Sequence, residues 1–131
     1  GIIAEVDRYM GSLDVLLCPC FTESFGRTTA EALAQGVPAI GVGSCAVAEI
    51  IDHNETGYLV SSGDVGAMEN HTRKLLTNET QRRAFGELGI ERVRERFSSP
   101  VIGEQLKGIY SDAKSRGGMS MGHIAKWMRE I

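Results

Sequence analysis

Residues 14–42 read DVLLCPCFTESFGRTTAEALAQGVPAIGV. Their order decides the fold: a short apolar run, a loop, a helix-forming run and a second apolar run. Val15-Leu16-Leu17-Cys18 is continuously apolar and is stopped by Pro19, the pattern of a strand buried on both faces of a parallel sheet. Thr28 to Gln35 is rich in strong helix formers, opens with the capping-box spacing from Thr28 to Glu31 and closes at Gly36, so it predicts a helix. Pro38-Ala39-Ile40-Gly41-Val42 then predicts a second buried strand.

The alternation extends on both sides. Upstream, Ala4 to Leu13 sets Val6, Tyr9, Met10 and Leu13 at helical spacing. Downstream, Gly43-Ser44 leads into a predicted helix from Ala46 to Ile51, Asn54-Glu55-Thr56-Gly57 into a turn, and Tyr58-Leu59-Val60 into a third strand. Gly63-Asp64 caps a helix from Val65 to Leu76. The order βαβαβα implies a parallel sheet with right-handed crossovers. Beyond Asn78 the pattern is helical only. It runs from Glu79 to Phe97, breaks at Ser98-Ser99-Pro100 and resumes from Val101 to Lys114, with charged faces that read as solvated. Gly117-Gly118 opens a tail, 117–131, in which Ile124, Trp127 and Met128 share one face of a last short helix. The expected fold class is therefore α/β: a partial Rossmann-like parallel sheet of about three strands, flanked by helices, with a helical carboxyl-terminal part. So thin a sheet leaves an edge unprotected, and isolated copies are expected to associate through it or to exchange elements.

Composition narrows the class. With 131 residues, 42% of them hydrophobic, the chain can bury a core without disulfide or metal staples. Its net charge of −3 argues against a nucleic-acid partner and against an anionic membrane surface. The longest apolar runs, Val15 to Leu17 and Val37 to Val42, fall far short of the roughly 20 residues of a membrane-spanning helix. The first residues carry neither a signal-peptide pattern nor an initiating methionine, so the chain is expected to begin inside a longer protein. Cys18, Cys20 and Cys45 are odd in number and lack metal-finger or CxxC spacing, which points to reduced thiols and a cytoplasmic setting.

In open parallel sheets ligands bind beyond the carboxyl ends of the strands, which directs attention to the loops Cys20 to Arg27 and Gly43 to Cys45. The first offers Glu23, Ser24, Phe25 and Gly26, then the amino end of a helix whose free N–H groups and dipole attract anions. Glu31, in the first turn of that helix, either completes a capping box or accepts two hydrogen bonds from a vicinal diol such as a ribose; helix chemistry alone weighs the two evenly. Gly26 either admits a ligand close to the backbone or serves as a plain turn glycine, the commoner role, and Phe25 reads equally as core. Gly41-Val42-Gly43-Ser44 offers N–H groups to a diphosphate but lacks both the GxGxxG order and the P-loop ending. His53, His71 and His123 have no carboxylate or cysteine at ligand spacing, so no metal site is expected. Ser24 lacks the preceding glycine of a nucleophile elbow, which excludes that hydrolase motif.

Taken as an ordered set, these segments resemble a known family. Asp14-Val15-Leu16-Leu17-Cys18-Pro19, then Glu23 to Pro38 with its E-x7-E spacing, then Val47-Ala48-Glu49-Ile50-Ile51 and Asn54 to Val60, are similar to the carboxyl-terminal domain of retaining GT-B glycosyltransferases of the group 1 or family 4 type. The resemblance covers about residues 3 to 112. It implies that residues 1–116 are a fragment of a nucleotide-sugar-binding domain. It further implies that Glu23 contacts the donor sugar hydroxyls, that the main chain of Ser24, Phe25, Gly26, Arg27 and Thr28 touches sugar and diphosphate, and that Glu31 holds the ribose. No cofactor and no metal are implied, because N–H groups and basic side chains carry the leaving-group charge.

The family also implies what this stretch does not contain. Its members place an amino-terminal domain with the acceptor pocket before this point, and the first half of the donor domain supplies an Arg and a Lys for the diphosphate. Arg27 is at neither position. The expectation is thus a part of an enzyme transferring sugar to a glycan, lipid or small molecule with retention, inactive alone. In full-length form it is cytoplasmic or peripheral at the membrane. Two other readings stand beside it: a sugar-nucleotide epimerase of the same architecture, and a non-catalytic nucleotide-sugar-binding or structural subunit.

Overall fold

Three parallel strands, β1 (Leu16–Cys18), β2 (Ala39–Val42) and β3 (Gly57–Val60), lie in the order β1-β2-β3, with Leu16 beside Ala39 and Ala39 beside Gly57. The computed structural model describes residues 5–115, and these fall into two units that divide between Glu95 and Arg96. The expected terminal helix around Trp127 lies outside the described residues. In the first unit the helices are α1 (Val6–Met10), α2 (Arg27–Ala34), α3 (Cys45–Ile50), α4 (Val65–Thr77) and most of α5 (Glu79–Phe97). The second unit contains α6 (Ser99–Ser115). It starts earlier than the sequence pattern predicts, because proline in a first turn removes an N–H that has no helical partner in any case. No helix among the described residues is long and apolar enough to cross a membrane.

β2 is central, and all four of its residues are buried. Alternation along it sends Ile40 and Val42 to one face, where Tyr58, Val60, Leu75 and Phe85 pack with them. On a second cluster Met10, Ala32 and Val37 gather with Leu13 and Leu16. Each fully buried Leu, Ile or Val contributes about 1.5–3 kcal/mol against its exposed state. β1 departs from the expectation of burial on both faces: Leu17 is 45% exposed. Among the described residues it is an edge strand with one neighbour, and the face that carries Leu17 lies open beside α4.

α5 braces the sheet from the side of the chain reversals. Gly86 lies so close to the turn at Gly36 that a Cβ there would collide with the Gly36 carbonyl oxygen. Farther along, Arg92 donates from Nε to the Ile50 carbonyl at 2.6 Å and from Nη2 to the Glu49 carbonyl at 2.8 Å, and it pairs with Asp52. A guanidinium thus satisfies the last carbonyls of α3 and complements the negative end of its dipole.

The His71 ring stacks on Tyr58 at 4.0 Å between centroids, with His53 at 6.2 Å from His71 and the Lys74 ammonium 5.2 Å above the Tyr58 ring. Burial lowers the His71 pKa from its usual 6.5, and His53 and Lys74 lower it further, while Asp64 opposes them. Because the folded value lies below the unfolded one, the folded state disfavours the proton. The stabilisation is complete above 6.5 and is lost as pH falls from there through the folded value. Melting temperature is expected to drop between about pH 7.5 and about pH 5, and a His71→Phe variant, which keeps a stacked ring, to show a flatter profile over the same range.

Candidate functional site

The loop after β1 is built around one glycine. Gly26 holds φ at 80°, in the left-handed region, and a Cβ on it would stand 2.8 Å from Cδ1 of the buried Ile50 on α3. Its N–H donates to Oε1 of Glu23 at 3.2 Å, which closes the loop and anchors the carboxylate by one oxygen. α2 follows with no side-chain cap. The expected capping box is therefore corrected: the helix begins at Arg27, so Thr28 already has helical geometry and cannot cap it. Glu31 accordingly lies in the second turn and not the first, with an Arg27 Nη2 to Glu31 Oε1 distance of 3.4 Å. The loop's far side is tied down by Cys18 Sγ and Thr29 Oγ1, 3.1 Å apart, with Thr29 buried. Phe25 is 52% exposed and is no part of the core, and Ser24 is exposed as well.

The second loop is differently employed. Gly43 N–H donates to the Val60 carbonyl at 2.8 Å and Ser44 N–H to the Val42 carbonyl at 2.7 Å, so the donors expected to face a diphosphate are spent on the sheet and a tight turn. Ser44 Oγ instead donates to the Phe21 carbonyl at 3.2 Å, latching the first loop to the start of α3. A third loop, overlooked in the sequence, joins them: Ser61 to Val65 and Phe21 border a cavity of about 300 Å³ beyond the ends of β2 and β3. The signal was present, since the rule that placed a site after the first two strands applies equally after β3. Asp64 caps α4 as expected, its Oδ1 accepting the Ala67 N–H at 2.8 Å.

Burial pushes the Cys18 thiol above its usual 9.0; its hydrogen bond to Thr29 works against this, and Glu23 and Cys20 add to it. Cys20 is exposed and free. His53 accepts the Leu59 N–H through Nδ1 at 3.0 Å, a structural task. No cluster of three or more His, Cys, Asp or Glu side chains suited to a metal occurs among the described residues, and His123 lies outside them.

The sequence pattern of the family described as "Glycosyl transferases group 1" matches residues 3–92. N-acetyl-alpha-D-glucosaminyl L-malate synthase of Bacillus anthracis is 39% identical over 108 residues, covering 82% of this chain and 28% of that protein. Sucrose-phosphate synthase from Thermosynechococcus elongatus superposes with a TM-score of 0.76 at 29% identity, over 82% of this chain and 27% of its own. HepE of Anabaena, solved in complex with UDP and glucose, superposes at 0.79 with 20% identity, over 86% of this chain and 31% of its own, a likeness of fold. The chain spans between about a fifth and less than a third of the length of curated relatives it matches, 28% for the Bacillus anthracis synthase and 19% for 2-deoxystreptamine N-acetyl-D-glucosaminyltransferase of Niallia circulans.

Replacing Gly26 by alanine combines a disfavoured φ with the Ile50 collision. Urea unfolding of Gly26→Ala is expected to show a loss of about 1–3 kcal/mol. Mass spectrometry after brief iodoacetamide treatment near pH 8 is expected to find Cys20 alkylated well before Cys18, because only the thiolate reacts and the half-buried Cys18 is held toward its thiol form.

Proposed function

The chain belongs to the group 1 glycosyl transferases, and from that premise we propose that it carries part of the nucleotide-sugar donor site of a longer enzyme. In this reading residues 1–116 are a fragment of the donor-binding domain. Glu23 orients the sugar hydroxyls, the main chain of Ser24, Phe25, Gly26, Arg27 and Thr28 meets sugar and diphosphate, and Glu31 takes the ribose diol. One observation carries the reading. The Glu23 carboxylate is held by Gly26 at the mouth of an uncapped helix, with Glu31 four residues into that helix, or about 6 Å along its axis.

The chemistry follows from those positions. A carboxylate with one oxygen anchored can orient hydroxyls with the other, reducing the freedom the donor loses at the reacting carbon. First-turn N–H groups stabilise charge developing on a leaving diphosphate. The Arg27 pair with Glu31 is a solvent-exposed contact worth less than about 1 kcal/mol, so a ribose competes with it easily. Transfer with retention, to a glycan, lipid or small molecule seated by a further domain, belongs to the whole protein. No metal or cofactor is needed for these steps, nucleic acid has no role, and the setting is cytoplasmic or peripheral to a membrane. The isolated chain is inactive.

Ligand-observed NMR with UDP-, GDP- and ADP-sugars tests this on the chain itself. One nucleotide is expected to bind, Glu31→Ala to abolish its binding, and Glu23→Gln to weaken the sugar-bearing donor while leaving the free nucleotide unchanged. Equal affinity of all three proteins for every ligand overturns the assignment, and sugar transfer by the purified chain overturns its inactivity.

A further inference from the structure

α3 does not hold itself in place. It has six residues, its N-cap Ser44 makes no side-chain cap, and its last turn carries no basic residue. A helix so short is marginal by itself and takes its position from tertiary contacts. Side chains tie both of its ends. At the start, Ser44 Oγ donates to the Phe21 carbonyl at 3.2 Å, in the loop that carries Glu23. At the finish, Arg92 of α5 reaches it from 42 residues away: Nε donates to the Ile50 carbonyl at 2.6 Å, Nη2 donates to the Glu49 carbonyl at 2.8 Å, and Nη1 pairs with Asp52. Asp52 is itself fixed, its N–H donating to Thr56 Oγ1 at 2.9 Å. The Arg92 side chain is 11% exposed, and all three guanidinium nitrogens are engaged in a planar fork that lysine cannot reproduce.

This clamp fixes the surface under the donor loop. From the point where a Cβ of Gly26 would stand, Ile50 Cδ1 lies at 2.8 Å and Val47 Cγ2 at 3.8 Å, both on α3, and Glu23 Cγ lies at 3.8 Å. The Glu23 stem and the Ile50 side chain therefore crowd the same side of Gly26, whose N–H holds the Glu23 carboxylate. Interiors packed as densely as organic crystals transmit a displacement, so a shift of Ile50 moves the glutamate. Glu31 is outside this arrangement, and its contact is with Arg27.

We propose that Arg92 is a positioning residue of the donor site: it fixes the end of α3, and through Ile50 it sets where Gly26 presents the Glu23 carboxylate. Arg92 acts on the sugar end of the site and does not itself meet the sugar. The task given to Glu23 rests on the donor reading, whereas the mechanical link from Arg92 to Gly26 is independent of any ligand.

Amide exchange and ligand-observed NMR on residues 1–131 test the two parts separately. In Arg92→Met, exchange at the Gly26 amide is expected to quicken about tenfold relative to the amide of Ile40 on β2. The preference for a sugar-bearing donor over its free nucleotide is expected to fall by a similar factor, with free-nucleotide affinity unchanged. The probes are UDP-glucose against UDP, GDP-mannose against GDP and ADP-glucose against ADP. Arg92→Lys, which keeps the charge without the fork, is expected to fall between, and it serves if Arg92→Met does not fold. Ile50→Val removes Cδ1 alone and is expected to reproduce both effects. In the double variant the effects are expected not to add, because both act on one contact. Arg83→Met, at an exposed arginine of the same helix, is expected to change neither. Gly26 exchange that moves only in step with Ile40 overturns the proposal. So does a loss of free nucleotide equal to the loss of donor, and so does full additivity in the double variant. If the unaltered chain binds none of the six ligands, the donor reading falls and Gly26 exchange alone decides whether Arg92 positions the loop.

Discussion

The structure hangs on β2. A central parallel strand is bonded on both sides and covered on both faces, so every residue of Ala39–Val42 must be apolar or small, and each neighbour takes its register from it. That single requirement places the loops. Parallel strands with helical returns leave all their carboxyl ends on one side, and the turns after β1, β2 and β3 meet there. The gathering of Glu23, Ser44 and the Ser61 to Val65 segment beyond one end of the sheet is a consequence of topology.

Local contacts then refine what topology assembles. Gly26 permits the left-handed turn that lets the chain pass over Ile50, and its N–H fixes Glu23. Ser44 reaches back to Phe21, and Cys18 to Thr29. The site loop is thus held from the sheet, from α2 and from α3, while α3 is itself held by Arg92 of α5 through the Ile50 and Glu49 carbonyls. The long polar helix has a function its even charge distribution conceals: it secures the floor on which Gly26 rests.

Much of this was legible in the sequence, and the exceptions share a cause. The three strands, the helices between them and the reach of α5 from Glu79 to Phe97 follow from apolar runs, caps and turn residues, which are local signals. The family resemblance rests on ordered segments and is matched over residues 3–92. What was misread depended on contacts distant in sequence or on a shift of one or two residues. Thr28 and Glu31 have the spacing of a capping box, but α2 begins a residue too early for it. Leu17 has the character of a buried strand residue, yet burial depends on what lies beside the strand. The N–H groups of Gly43 and Ser44 are drawn away by carbonyls at Val60 and Val42.

Charge sets the division of labour within the proposed site. Glu23 and Glu31 contribute two carboxylates, whereas the guanidinium at the start of α2, Arg27, is already beside Glu31. A surface of that sign reads hydroxyls well, because a carboxylate accepts from a sugar or a ribose at little electrostatic cost. A diphosphate is another matter. The first-turn N–H groups of α2 favour it by about 0.3–1 kcal/mol at an exposed terminus, too little to outweigh two carboxylates nearby. On the donor reading, these residues identify the sugar and the ribose, and the positive charge that neutralises the phosphates between them has to come from elsewhere in the assembled enzyme. In that reading the half-site meets both ends of its donor and supplies, through the main chain at the start of α2, only part of what holds the charged middle.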